Sequence, residues 1–292
     1  MSDYLFGVII PAYNSAAYIG EAIESVISQK VVSLEVIVVD DGSRDNTIDI
    51  VKSFGNQVKI ISQKNAGSSA ARNRGATESS AKFLAFLDAD DIWLPEKLRL
   101  QKIKIEQGYN MIYTNRLNFG NVGDLPEIQS DVFCMQEGDI FEYLLLGNVI
   151  TNSSAVISRD KFFALKGFRT DLTFCEDWDL WLRYAANDEI GFCENPLVKY
   201  RIHSLSKSRN YKEKYKNRKR IITDILNTER GRGLSNAMKR KVWACTYSTS
   251  AWEAAKAKDL VQALQWYIEA IRAWPFDFGI WYNVARALAG RI

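Results

Sequence analysis

Asp88, Ala89 and Asp90 follow the apolar run Phe83-Leu-Ala-Phe-Leu87, so two carboxylates stand two positions apart where a buried strand should end. On an extended strand end, alternate residues project to the same side. Hard oxygen ligands of this kind suit Mg²⁺ or Mn²⁺, an ion that can bridge to a diphosphate and neutralise charge as it leaves. Asp40 and Asp41 follow a second apolar run, Glu35-Val-Ile-Val-Val39. Carboxylates there can accept hydrogen bonds from a uracil imide or from ribose hydroxyls. The same Asp-Gly-Ser stretch is also ordinary turn chemistry before a helix starting near Arg44. Gly67 opens a helix of small residues that runs to Gly75, which allows close backbone approach to a ligand, and Arg72 within it can contact a diphosphate or nucleotide. A closely packed helix start explains those residues equally well.

The elements that must position these groups can be read from hydrophobic patterning. Short Val- and Ile-rich runs, Leu5 to Ile10, Leu34 to Asp40, Val58 to Ser62, Phe83 to Asp88 and Met111 to Thr114, alternate with amphipathic stretches. That alternation predicts an α/β fold, a Rossmann-like, mostly parallel sheet flanked by helices. Helices are expected to begin near Ser15, Arg44, Gly67 and Pro95. Such a sheet binds ligands at the carboxyl ends of its strands, where the sequence places Pro11, Ala12, Tyr13 and Asn14, then Asp40 and Asp41, then Asn65 to Gly67, then Asp88 to Asp91. The five carboxylates of these loops repel one another unless a cation or ligand donors compensate, so the arrangement reads as a site.

The chain has 292 residues, 47% hydrophobic, enough for one large domain with an appendage. A net charge of +3 is too small to indicate a nucleic-acid partner. Four scattered cysteines without zinc-ligand spacing read as free thiols in a reducing compartment. The N-terminal residues lack signal-peptide character and no apolar run approaches the length of a membrane span, so the expectation is a cytoplasmic protein, if membrane-associated then peripherally at the inner face.

Five motifs in order, Val8-Ile-Ile-Pro-Ala-Tyr-Asn14, Val38-Val-Asp-Asp-Gly-Ser43, Asn65-Ala-Gly67 with Ala71-Arg-Asn-Arg-Gly75, Leu87-Asp-Ala-Asp-Asp91 and Glu176-Asp-Trp-Asp-Leu180, resemble family 2 glycosyltransferases. They cover roughly the first 200 residues. The resemblance implies a GT-A fold and an inverting, nucleotide-sugar-dependent enzyme. It implies that Asp40 reads the base, Asp88 contacts the ribose, Asp90 holds the metal, and Asp177 of the Glu176-Asp177 pair is the catalytic base. Pro11 to Asn14, Asp41, Gly67, Arg72 and Ala89 would complete the nucleotide-sugar site. His203, in Tyr200-Arg-Ile-His203, is similar to a family element whose histidine approaches the metal or diphosphate. Glu176 and Asp177 can also be read as acids capping the helix that follows them.

The expected donor is a UDP-sugar, with Mn²⁺ or Mg²⁺, and the expected acceptor a glycan or lipid-linked hydroxyl in surface polysaccharide synthesis. No Gln-x-x-Arg-Trp element is present, which favours addition of one hexosyl or N-acetylhexosaminyl unit over polymerisation. The sequence divides into a catalytic domain at 1–205, its nucleotide half at 1–115 and acceptor half at 116–205, a basic helical linker at 206–234 and a helical tail at 235–292. The stretch Lys207 to Arg220 packs eight Lys or Arg against Glu213 alone, a solvated helix or an attraction to anionic lipid. Within the tail, Leu260 to Pro275 resembles the second helix of one tetratricopeptide-like repeat, a surface for packing on the catalytic domain or on another copy. Two other functions compete: nucleotidyl transfer to sugar phosphates, for which the basic Gly-rich loop after the first strand is missing, and a non-catalytic interaction protein using the tail.

Overall fold

A computed structural model describes residues 4–30, 33–123, 125–202 and 210–288. His203 and the first part of the basic run, 207–209, lie outside the described residues. Two compact units emerge, the first made of residues 1–140, 149–170 and 187–204, the second of 141–148, 171–186 and 205–292.

The first unit is built on the Val- and Ile-rich runs. β1 (Phe6–Ala12), β2 (Leu34–Asp40), β3 (Lys59–Ser62) and β4 (Phe83–Phe86) form a parallel quartet in the order β3-β2-β1-β4. Their runs are apolar because both faces are covered. Val8 and Ile10 pack in one cluster with Ile19, Ala22, Ile23 and Val26 of α1 (Ile19–Ile27), while Ile37 and Val39 pack in another with Ala71 of α3 (Ser68–Glu78). α2 (Thr47–Ser53) and α4 (Lys97–Glu106) complete the helices expected in this half.

Beyond β4 the sheet changes character. β7 (Val156–Ser158) is antiparallel to both β4 and β6 (Met111–Gly120), and the short β5 (Ile92–Trp93) pairs antiparallel with β8 (Gly191–Ile202). β8 runs parallel to β6, so the eight-stranded order is β3-β2-β1-β4-β7-β6-β8-β5. The expected α/β architecture is therefore present, with a mixed far half that the hydrophobic runs did not announce. β8, twelve residues long, is interrupted by Glu194, Asn195 and Pro196, and its register against β6 shifts at Thr114, Asn115 and Arg116. α6 (Arg159–Ala164) follows β7, capped by the Ser158 hydroxyl, which accepts from the Lys161 amide.

The second unit is helical: α5 (Phe141–Leu146), α7 (Glu176–Ala185), α8 (Tyr211–Leu226), α9 (Glu229–Gly233), α10 (Asn236–Lys256), α11 (Leu260–Ala273) and α12 (Phe278–Leu288). Ser235 caps α10 and Asp259 caps α11, each accepting a backbone amide on its side chain. Ala251, Ala254, Ala263, Tyr267, Ala270 and Ile280 form the core between α10, α11 and α12. Much of the basic charge on α8 is compensated within the unit. Lys214 and Arg218 pair with Glu253, Arg220 with Asp171, and Lys216 with Glu213. Among the described residues, no helix is long and apolar enough to cross a membrane.

At Gly75 of α3 a Cβ would stand 2.5 Å from Ile9 Cγ2 of β1. At Gly20 of α1 the nearest neighbour would be 3.8 Å away. Gly75→Ala should cost about 1–3 kcal/mol by overpacking despite the better helix propensity of alanine. Gly20→Ala should be neutral or stabilise by up to about 1 kcal/mol. Urea denaturation of the two variants checks the contrast.

Candidate active site

The carboxyl ends of β1 and β2 lie side by side, Ala12 opposite Asp40 in the parallel register. The Asp41 amide donates to the Ala12 carbonyl at 2.8 Å, and the Asn14 amide donates to Ser43 Oγ at 2.9 Å. Asn14 sits at φ 50°, and its side-chain oxygen accepts the Arg44 amide at 2.8 Å. Pro11 and Ala12, the last residues of β1, and the Tyr13-Asn14 turn that follows them are thereby tied to the loop after β2, with Tyr13 exposed.

Asp40 and Asp41 are both buried but do different things. The Asp40 carboxylate accepts the Gly42 and Ser43 amides at 3.3 Å, long bonds that leave acceptor capacity on its oxygens. Gly42 turns the chain at φ 81°, where a Cβ would crowd the Asn65 amide at 3.2 Å. The Asp41 carboxylate takes three short bonds, from Gln63 Nε2 and from the amides of Ala66 and Gly67, each at 2.8 Å. It clamps the loop that leads into α3. Gly67, at φ 90°, is the last residue before that helix.

Arg72, one turn into α3, is buried against the Phe168 ring, and its Nη2 donates to Asp88 Oδ1 at 2.7 Å. The same oxygen accepts Asn152 Nδ2 at 3.2 Å. Asp88 is therefore held in place from two sides, while Arg72, expected to reach a diphosphate, is occupied with a carboxylate of the chain itself. Ala89 is buried and Asp90 partly so.

Asp91 is buried beneath this pair. Ser153 Oγ donates to Asp91 Oδ2 at 2.5 Å and accepts the Asp88 amide at 3.1 Å. The Arg201 amide donates to Asp91 Oδ1 at 2.9 Å, and Arg201 Nε donates to the Asp90 carbonyl at 2.8 Å. Burial first, then the neighbouring charges of Asp88 and Asp90, push the Asp91 carboxyl well above the usual carboxylate range. Burial and the same acids push the Tyr200 phenol up as well. Ser153, Asn152 and Arg201 carry no local motif of their own; Tyr200-Arg201 beside His203 was the single signal pointing to one of them.

Glu176 and Asp177 begin α7 in the second unit, after Cys175 at φ 61°. Asp177 Oδ1 accepts the Trp178 amide at 2.7 Å and Oδ2 accepts Asn148 Nδ2 at 3.0 Å. The Trp178 indole N–H donates to the Leu144 carbonyl at 2.7 Å, fixing α7 to α5. The structure thus brings Asp40, Asp41, Arg72, Asp88 and Asp90 together in the first unit and places Glu176 and Asp177 in the second.

Among the described residues, no group of three or more His, Cys, Asp or Glu could hold a metal ion. Asp91 has both oxygens engaged by the chain. A single carboxylate such as that of Asp90 suits an ion that takes its other ligands from phosphate and water, as Mg²⁺ and Mn²⁺ do with nucleotides.

Residues 7–172 match the family model described as Glycosyl transferase family 2. An uncharacterized glycosyltransferase of Rickettsia felis is 31% identical over 207 residues, covering 68% of this chain and 34% of the relative, and one of Rickettsia prowazekii is 30% identical over 68% of this chain and 64% of its own length. The chain thus spans between about a third and two thirds of these relatives. An Escherichia coli protein named UDP-Glc:alpha-D-GlcNAc-diphosphoundecaprenol beta-1,3-glucosyltransferase is 29% identical over 77% of this chain and 88% of its own. The fold matches Staphylococcus aureus TarS residues 1–349 in complex with UDP, with a TM-score of 0.70, 19% identity and coverage of 98% of this chain and 88% of that one. It also matches a Pyrobaculum calidifontis mannosyltransferase in complex with GDP-Man and Mn²⁺, with a TM-score of 0.62, 15% identity and coverage of 98% and 85%.

Because the folded-state Asp91 carboxyl is shifted upward, its contribution is most favourable below about pH 4, where it is protonated in both states, and is lost as pH rises towards its folded value. Asp91→Asn should remove that slope. Urea midpoints across the acid to neutral range should fall less steeply for the variant than for the parent chain.

Proposed function

The chain belongs to glycosyl transferase family 2, and on that premise we propose that it moves one sugar from a UDP-sugar to a hydroxyl of a glycan or lipid-linked acceptor, inverting the anomeric carbon. The observation that carries this reading is the pair of acceptors at the ends of β2 and β4. Asp40 keeps acceptor capacity, and Asp88 is fixed by Arg72 and Asn152. Acceptors held this way recognise groups that donate, such as the imide of a base and the hydroxyls of a ribose, without reorganising when the nucleotide arrives.

Asp40 reads the base and Asp88 the ribose, with Pro11 to Asn14 and Gly67 shaping the approach. Asp90, with His203, would hold Mn²⁺ or Mg²⁺, which when bound neutralises charge on the departing diphosphate. Asp177 takes the proton of the acceptor hydroxyl as its oxygen bonds to the anomeric carbon and the carbon–oxygen bond to the diphosphate breaks. The anchoring of Asp177 by Asn148 and by the Trp178 amide keeps it ready as an acceptor of that proton. Three comparisons support the choice of class: the relative whose name specifies UDP-Glc and a diphosphoundecaprenol-linked substrate, the fold neighbour in complex with UDP, and the one with GDP-Man and Mn²⁺. A cytoplasmic setting at the inner membrane face, in surface polysaccharide synthesis, fits an acceptor of that kind.

Asp177→Asn should lower kcat by about 10²- to 10⁴-fold while leaving the thermal stabilisation by UDP-sugar and Mn²⁺ intact. Asp90→Ala should abolish the Mn²⁺-dependent part of that stabilisation. Steady-state transfer assays with melting curves separate the two roles, and full transfer activity in either variant contradicts the assignments.

A further inference from the structure

The second unit carries an apolar face that the proposed transfer reaction does not use. On α12, the exposed apolar side chains are Phe278, Trp281, Tyr282, Ala285 and Leu288, a spacing of i, i+3, i+4, i+7 and i+10 that makes one continuous stripe. The opposite side of the helix supplies Ile280 and Ala287 to the core. This helix is therefore apolar on both sides. Phe278 is 85% exposed, and Phe276 in the preceding turn is 74% exposed.

Next to this turn stands a basic cluster. Lys239, Arg240 and Lys241 lie in the first turns of α10, and Arg240 Nε donates to the carbonyl of Ala273, the last residue of α11, at 2.9 Å. Burial and the Asp277 charge together push the Cys245 thiol up to about 11 against the opposing effect of Lys241, so Asp277 of the turn and Lys241 both act on this thiol. The sequence from 235 to 292 holds eight Lys or Arg against four Asp or Glu, a surplus of four cations where the whole chain has three.

We propose that the aromatic stripe of α12 and the turn at Phe276, flanked by Lys239, Arg240 and Lys241, form a docking surface for an anionic lipid bilayer. Trp, Tyr and Phe suit the boundary between headgroups and acyl chains, and adjacent cations suit anionic headgroups. A two-fold contact between copies on this face would set the two basic clusters beside one another, which disfavours a second copy. The basic run of α8 is a poorer candidate, since Lys214, Lys216, Arg218 and Arg220 are engaged with acids of the chain. The inference is independent of the sugar-transfer reading.

Vesicle flotation of the full chain tests it, with vesicles of phosphatidylcholine alone and vesicles also containing phosphatidylglycerol. The expected result is binding to the anionic vesicles that weakens as salt rises, and a loss of about tenfold or more in Phe278→Ser/Trp281→Ser/Tyr282→Ser. Trp281 Nε1 also donates to the Pro275 carbonyl at 2.9 Å, so Phe278→Ser/Tyr282→Ser, at the two more exposed side chains, is the companion variant that should melt with the parent chain and still lose binding; Phe163→Ser, an exposed aromatic of the first unit, should bind as the parent does. Absence of binding by the parent chain, or equal binding by the triple variant, overturns the proposal. So does a concentration-dependent dimer of the parent chain, seen by light scattering, that the triple variant loses while neither floats.

Discussion

Carboxylates crowded at the end of a parallel sheet repel each other, and the structure of the first unit follows from how that repulsion is held in check. Asp88, Asp90 and Asp91 occupy four consecutive positions with one alanine. Each is restrained by an element distant in sequence: Asp88 by Arg72 of α3 and by Asn152, Asp91 by Ser153 and the Arg201 amide, and the Asp90 backbone by the Arg201 guanidinium. The cost of burying Asp91 beside two acids is visible in the upward shift of its carboxyl. A bound cation would relieve the same repulsion.

The fold supplies those restraints in layers. β1, β2 and β4 bring three loops to one sheet edge, and α3 packs so closely on β1, through Gly75, that Arg72 reaches across to Asp88. The antiparallel β7 then returns the chain past β4, so that the turn at Asn152 and Ser153 meets the acidic loop. β8 runs parallel to β6 and delivers Arg201 from the far half of the sheet. A site assembled in this way depends on pairings of long sequence separation. Asp88 and Asp91 in particular have partners from more than one element.

Local sequence revealed the parallel quartet and the acids at its strand ends because both are local signals: a Val- and Ile-rich run, then a polar loop. The expected helix start near Ser15 falls later, at Ile19, because Ser15 and Ala16 donate their amides to Thr47 and Asp45 instead. The start near Arg44 moves to Thr47 for a related reason, since Asp45 folds back on Thr47. β8 was illegible because Glu194, Asn195 and Pro196 break its pattern, and the register shift against β6 that absorbs them is a tertiary event. The occupation of Arg72 by Asp88, the clamp by Asp41 and the role of Ser153 were equally hidden. Their partners lie 16 to 65 residues away, and only the fold sets those distances. The motif singled out Asp177 but gave no sign of its hydrogen-bond partner Asn148, because nothing local ties an asparagine after α5 to the start of α7.

The central claim is that the ends of β2 and β4 form one nucleotide site. A crystal structure of the chain soaked with UDP and Mn²⁺ addresses it most directly. The account predicts the uracil against Asp40, the ribose against Asp88 and the metal and diphosphate against Asp90. Nucleotide bound on any other surface, with Asp40 and Asp90 left in solvent, would contradict it.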